Sequence, residues 1–145
     1  MRILKKLTGA AFALLTLLLL TQAKPVQAQG PAYLHALSDL RSARAYLQYD
    51  TRPEWGDRRQ HAIEQIDKAI DEIKVAAMDD GKNPWHTPPP QTGGEEGWPI
   101  HSAVRLLREA RGDVDHGMDT PENRGLRERS VDHIDKALRE LNPGM

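Results

Sequence analysis

The chain has 145 residues, no cysteine and a formal net charge of −1, from 20 basic and 21 acidic residues. The lack of cysteine excludes disulfide bonds, thiolate metal sites and a cysteine nucleophile. With no Lys/Arg block, the chain also offers little to a nucleic acid, whose phosphates are bound mainly by clustered basic side chains.

Residues 1–28 have the pattern of a cleaved signal peptide. Three basic residues open the segment, an uncharged apolar run covers 7–20, and Val26-Gln27-Ala28 offers small residues for cleavage. The run is shorter than the roughly 20 apolar residues that span a bilayer, although an uncleaved anchor is the alternative. Cleavage leaves 117 residues with 16 basic and 21 acidic side chains, a net charge of −5. The pattern predicts a periplasmic or secreted protein without a membrane anchor.

Two helices are predicted in 29–81, as a first helical hairpin. One begins near Pro31 and ends near Tyr49, and the other runs from Pro53 or Asp57 to Gly81, a residue that can close a helix in the left-handed conformation. Apolar residues recur at three- and four-residue steps in both. They are Leu34, Leu37, Leu40, Leu47, Ile63, Ile66, Ile70 and Ile73.

Residues 82–98 are rich in proline and glycine and show no helical period. We expect this segment to link two hairpins, with Trp85 and Trp98 holding it against the end of the bundle. The alternative is a proline-rich ligand for an aromatic groove.

A second hairpin is predicted in 99–145. Its first helix begins at Pro99 and ends near Gly117, and its second has Thr120 as N-cap and Pro121 as first helical residue. Asn142-Pro143-Gly144 is expected to end it.

The two hairpins resemble each other in sequence. Ile66-Asp67-Lys68-Ala69-Ile70 returns 68 positions later as Ile134-Asp135-Lys136-Ala137-Leu138, and Ala43-Arg44 returns 67 positions later as Ala110-Arg111. A single helical hairpin leaves apolar surface uncovered, and two can cover each other. The repeat therefore predicts an all-α protein with one domain, 29–145, an antiparallel four-helix bundle of two duplicated hairpins.

Polar residues interrupt the predicted apolar faces. Turns centred near Thr51 and Met118 would bring Asp67 level with His35, and Asp135 level with His101. His133 and His86 are expected nearby. Imidazoles and carboxylates together are suitable ligands for zinc, copper or nickel, so these residues form a candidate metal site.

The alternative is structural: each aspartate would fix the histidine opposite it, or pair with Arg44 or Arg111. No His-x-x-x-His, Glu-x-x-His or His-Glu-x-x-His motif is present, and no serine stands in a Gly-x-Ser-x-Gly context. The sequence thus predicts a non-enzymatic protein without a cofactor that presents helix faces to an unknown protein partner. Low-capacity zinc or copper binding is the second hypothesis.

The leader, the duplicated hairpin, the scattered histidines and the lack of cysteine together resemble small exported bacterial helical proteins of uncharacterised families. In plan, the chain is also similar to the periplasmic small metal-binding proteins. Those carry histidine in almost every heptad, whereas this chain has six histidines in all. The resemblance implies at most one or two metal sites.

Overall fold

A computed structural model describes residues 32–86, 99–118 and 120–142, and across these ranges it is all-helical, with four α-helices and no strand. The helices are α1 (Ala32–Tyr49), α2 (Gly56–Asp79), α3 (Pro99–Gly117) and α4 (Arg124–Leu141). The predicted signal peptide, most of the predicted linker and residues 143–145 lie outside the described ranges. No described helix is long and apolar enough to cross a membrane.

The ends of the first three helices follow the residues that predicted them. A single 3₁₀ turn, Pro53–Trp55, leads into α2, and Pro99 opens α3. Gly81 has φ +68°, which is the left-handed conformation that glycine adopts without steric cost. Its backbone N–H bonds to the carbonyl of Met78 at 2.9 Å, closing the end of α2.

The predicted start of α4 is wrong by three residues. Pro121 lies in a turn rather than in the helix, which begins at Arg124. Thr120 still accepts a hydrogen bond through its Oγ1, from the backbone N–H of Asn123 at 3.3 Å, but this bond stabilises the turn. The turn over 121–123 precedes α4 as the 3₁₀ turn over 53–55 precedes α2, at the predicted repeat distance of 68.

Buried apolar residues from all four helices form one core. Its largest fully buried aliphatic side chains include five of the apolar positions predicted in the first hairpin, together with three from α3 and α4: Leu37, Leu40, Leu47, Ile66, Ile73, Leu107, Val114 and Ile134. Ala36, Ala43, Ala69, Ala103, Ala110 and Ala137 are fully buried too. Small residues at such positions let helix backbones approach each other closely. The core is therefore built mainly from aliphatic side chains, with few aromatic rings.

The most extensive packing joins helices of different predicted hairpins. α1 packs mainly on α3 and α2 mainly on α4, whereas the α1–α2 and α3–α4 contacts are smaller. Within the described ranges no Cα atom of α1 lies within 8 Å of one in α4, and the same holds for α2 and α3. The core is thus held together chiefly between the two halves of the chain.

Close approaches show which parts of α1 and α3 lie together. A Cβ added at Gly117, the end of α3, would lie 2.8 Å from the Cβ of Ala32, the first residue of α1. The imidazole of His35, near the start of α1, is close enough to Asp113, near the end of α3, to act against the rise in the pKa of Asp113. The beginning of α1 therefore lies beside the end of α3.

Trp85 does not hold the linker to the bundle as predicted. Its side chain is 66% exposed, and the neighbouring Pro84 is the fully buried residue. The carbonyl of Pro84 accepts a hydrogen bond from Arg41 Nη2 at 3.0 Å, which attaches this segment to α1.

Candidate binding groove

The two predicted metal-ligand aspartates are bound by arginines. Arg44 Nε donates to Asp67 Oδ1 at 2.6 Å and Arg44 Nη2 to Asp67 Oδ2 at 3.3 Å. Arg111 holds Asp135 in the same way, at 2.7 and 3.3 Å. These are two-point arginine–carboxylate pairs, the structural alternative that the sequence left open.

Asp67 does not lie level with His35, because the turns between the helices are centred later in the chain than the sequence predicted. Arg44 and Asp67 are equally far from the Trp55–Gly56 bond, and Arg111 and Asp135 are equally far from Asn123. The predicted centres, Thr51 and Met118, therefore lie four to five residues too early. The additional turns at 53–55 and 121–123 shift the register by more than one helical turn.

The histidines also have separate surroundings. His35 and His101 are exposed, as is His86 after Pro84. His133 is half-buried, and its Nδ1 lies 2.8 Å from Gln65 Oε1. Burial, followed by the charge of Lys136, lowers the pKa of His133.

The predicted ligands His35, His101, Asp67 and Asp135 are consequently not assembled into one site, and His133 and His86 do not complete one. In the part of the chain that the structure describes, no three histidine, aspartate or glutamate side chains are placed to hold a metal ion. Zinc or copper binding by these residues stays a prediction without a geometric basis here.

A group of acidic residues lies between α1 and α3. Burial, and after it the nearby carboxylates of Glu109 and Asp113, raise the pKa of Asp39 to about 6, while His35 and Arg105 act against the shift. The pKa of Asp113 is raised as well, first by its own burial. Nearby carboxylates in a half-buried setting destabilise each other's charged forms, so this group makes stability depend on pH.

A second polar group ties three parts of the chain together. The Tyr33 hydroxyl donates to Asp80 Oδ2 at 2.9 Å, and Asn123 Nδ2 donates to Asp80 Oδ1 at 3.0 Å. Burial and this bond raise the pKa of Tyr33 to about 12, so its hydroxyl stays protonated as the donor. One carboxylate thus joins the start of α1, the end of α2 and the turn before α4.

At the other end of the bundle lies a groove of about 460 Å³. Its walls come from the 3₁₀ turn before α2, the first half of α3 and the end of α4, and it is lined by Trp55, Ile100, His101, Val104, Arg105, Arg108, Leu141 and Asn142. The lining combines an apolar base with one imidazole and two guanidinium groups. Arg105 also bonds to Glu109 at 3.1 Å along the exposed side of α3.

The chemistry of the groove suits binding. Guanidinium groups donate paired hydrogen bonds to carboxylates and carbonyls, and the indole and aliphatic side chains supply apolar contact area. No serine, aspartate or glutamate is among the described lining residues. A smaller hollow of about 300 Å³ is lined by Asp115, Arg127, Glu128, Val131, Asp132 and Asp135.

Sequence reasoning found only His101 among the groove residues. The unequal lengths of α2 and α4 were a further indication of a difference at this end. α4 ends at Leu141, which corresponds to Ile73 at the repeat distance of 68, whereas α2 continues six residues further, to Asp79. Comparison of the chain with protein-family models, with curated proteins and with solved structures gave no match.

Proposed function

We propose that the chain is an exported, non-enzymatic helical-bundle protein that binds a protein partner in the groove lined by Trp55, Arg105 and Arg108. The observation that carries the proposal is a groove at the bundle end whose lining combines the apolar side chains of Trp55 and Val104 with the guanidinium groups of Arg105 and Arg108. Aromatic and arginine side chains dominate the energetics of protein interfaces, which supports a protein as the ligand.

The scaffold of this proposal is an antiparallel bundle of two duplicated hairpins. Two sets of contacts support it. The Arg44–Asp67 pair recurs as Arg111–Asp135, in each case between the two helices of one predicted hairpin. Between hairpins, Glu72 bonds to Arg129 at 2.8 Å, and the residues 68 positions away from them, Glu140 and His61, approach to 4.0 Å. When two copies dock about a two-fold axis, each contact made from the first copy to the second is expected to recur from the second copy to the first.

Site-specific photo-crosslinking in the cells that make the protein tests the binding function. A photoreactive residue at Arg105 should give a discrete protein adduct that the added substitution Trp55→Ala removes. The same probe at the exposed Glu64 on α2 is the matched control and should give none. Equal adducts at both positions, or none at position 105, would argue against the groove as a binding site.

Export is tested separately by N-terminal sequencing of the protein recovered outside the cytoplasm. The leader pattern predicts that the mature chain begins at Gln29. A chain that keeps Met1 in the membrane fraction would instead favour the uncleaved anchor.

Low-capacity zinc or copper binding is the alternative function, with His35, His101, Asp67 and Asp135 as its predicted ligands. A ligand that binds only the folded state raises the melting temperature. If metal binding is real, saturating zinc or copper will raise the melting temperature of the wild type but not that of His101→Ala. An unchanged melting temperature in the wild type would remove this alternative.

A further inference from the structure

The first hairpin, α1 with α2, and the second hairpin, α3 with α4, pack on each other more extensively than the helices within either hairpin. α1 packs mainly on α3 and α2 mainly on α4, while the contacts of α1 with α2 and of α3 with α4 are smaller. A hairpin on its own would leave the apolar face of these contacts in water, which is unfavourable. Each hairpin therefore needs a second hairpin to cover it.

Polar contacts also join the two hairpins. Arg129 donates to both carboxylate oxygens of Glu72 at 2.8 Å, and Asn123 Nδ2 donates to Asp80 Oδ1 at 3.0 Å. These bonds join α4 and the turn before it to the end of α2. Neither depends on the chain that connects the hairpins, so a second hairpin from another copy could form both.

The described beginning of that connection belongs to the first hairpin, since the carbonyl of Pro84 accepts from Arg41 Nη2 of α1 at 3.0 Å. Twelve residues, 87–98, then separate His86 from Pro99, the first residue of α3. A chain of this length reaches at most ~40 Å, whereas a helix as long as α1 measures ~27 Å. The connection is therefore long enough for the second hairpin to dock on its own first hairpin or on that of a neighbouring copy.

The two arrangements differ little in their contacts. Each contact between a first and a second hairpin is the same in both, so the arrangements differ mainly in the entropy of the connecting chain. Exchange of identical elements between protomers is for this reason a low-cost route to dimers. Docking within one chain is favoured by the effective concentration that a flexible linker provides, which is on the order of millimolar. Exchange is thus expected when the chain folds at a comparable protein concentration.

We propose that two copies of this chain exchange their second hairpins when they fold together at high concentration, giving a closed dimer of two complete four-helix bundles. Each groove in this dimer is shared between copies. Trp55 comes from the first hairpin of one copy, and the other described lining residues, among them Arg105 and Arg108, come from the second hairpin of the other. The inference rests on the two-hairpin scaffold of the proposed function and not on what the groove binds.

Cross-linking of engineered cysteines with a short bismaleimide tests the exchange. The chain has no cysteine of its own, so each linked product has one origin. His133 Nδ1 lies 2.8 Å from Gln65 Oε1 where α4 packs on α2. A copy with Gln65→Cys and a copy with His133→Cys therefore bring their thiols together only after exchange.

We expect a covalent dimer on a denaturing gel when these two variants are unfolded, mixed and refolded at about 1 mM, and at least about tenfold less when they are refolded separately and mixed at about 10 µM. Glu64→Cys, at an exposed position of α2, replaces Gln65→Cys in the matched control. This control measures linking by random collision and should give little dimer.

A single chain with both Gln65→Cys and His133→Cys shows whether the variants fold and whether the two positions are adjacent. Refolded at about 10 µM, it should be linked within itself and remain a monomer. If it is, and the mixed variants refolded at about 1 mM give no more dimer than the Glu64→Cys control, the exchange is overturned. If the internal link is missing, α2 does not pack on α4 and the exchange falls with the scaffold. The adduct at position 105 does not enter this test, so exchange and partner binding can fail independently.

Discussion

His133 Nδ1 lies 2.8 Å from Gln65 Oε1, and the two residues are 68 positions apart, which is the repeat distance read from the sequence. Residues at equivalent positions of two copies meet each other only where a symmetry axis passes between them. The contact therefore supports a two-fold arrangement of the halves about the point where α2 packs on α4. In this pair Gln65 carries a neutral amide and His133 a titratable ring.

This difference predicts a pH dependence of stability. The pKa of His133 is lowered in the folded protein, so the unfolded chain binds the proton more readily. The contribution of His133 is complete above its unfolded pKa near 6.5 and is lost as the pH falls from there through the lower folded value. We expect His133→Gln to reduce the loss of stability between about pH 7 and pH 5, measured by urea unfolding. An unchanged pH profile in this variant would contradict the assignment.

Asp39 should make the stability of the protein depend on pH in the sense opposite to His133. Because its pKa is raised from 3.8 to about 6 in the folded protein, its charge opposes folding increasingly as the pH rises through this window. Asp39→Asn should therefore stabilise the protein at about pH 7.5, by ~1 kcal/mol, and the gain should disappear near pH 4. Asp71→Asn, at an exposed aspartate beside Lys74, should leave the free energy of unfolding nearly unchanged. A destabilised Asp39→Asn at neutral pH would show that the carboxylate is paired.

Alanine substitutions at two glycines of α3 test how closely this helix approaches α1. A Cβ at Gly117 would meet Ala32 Cβ at 2.8 Å and the backbone nitrogen of Tyr33 at 2.9 Å, so Gly117→Ala must move one helix. We expect a loss of about 1–3 kcal/mol in the free energy of unfolding. Gly112, in the same helix, has no atom within 4 Å of the added Cβ, and Gly112→Ala should stabilise by about 0.5–1 kcal/mol. Similar effects of both substitutions would contradict this packing of α1 on α3.

The Arg44–Asp67 and Arg111–Asp135 ion pairs should each contribute modestly to the free energy of unfolding. The side chains of Arg44 and Asp67 are 35% and 45% exposed, and those of Arg111 and Asp135 are 42% and 31% exposed. At such exposure a two-point ion pair typically contributes about 0.2–1 kcal/mol. Double-mutant cycles with Arg44→Met and Asp67→Asn, and with Arg111→Met and Asp135→Asn, should give similar coupling energies. Coupling in only one hairpin would weaken the case for duplication.

The sequence predicted the helices well where the signal was local. Pro99 opens α3, Gly81 closes α2, and the apolar period identified most of the core, because proline, glycine and helical periodicity act within a few residues. The start of α4 was less certain for the same reason. Thr120 and Pro121 fit an N-cap and first helical residue, yet they also fit the turn that they form.

The predicted metal site shows where local rules stopped. The helix assignments around it were right, but the relative height of two helices depends on the turn between them. Counting from Thr51 placed Asp67 beside His35, whereas the turn over 53–55 moves the centre of the hairpin to Trp55 and brings Arg44 opposite Asp67. When one helix is displaced along its neighbour by more than one helical turn, different residues face each other. Sets of metal ligands therefore cannot be inferred from sequence spacing alone.

The chain's pattern by itself determined the four helices, their apolar faces and the correspondence of residues 67 and 68 positions apart. Only the tertiary structure decided that α1 packs chiefly on α3 and α2 on α4, and that Trp55, Arg105 and Arg108 line one groove at an end of the bundle. The physical reason is that helical periodicity depends on neighbouring residues, whereas docking depends on which surfaces are buried together.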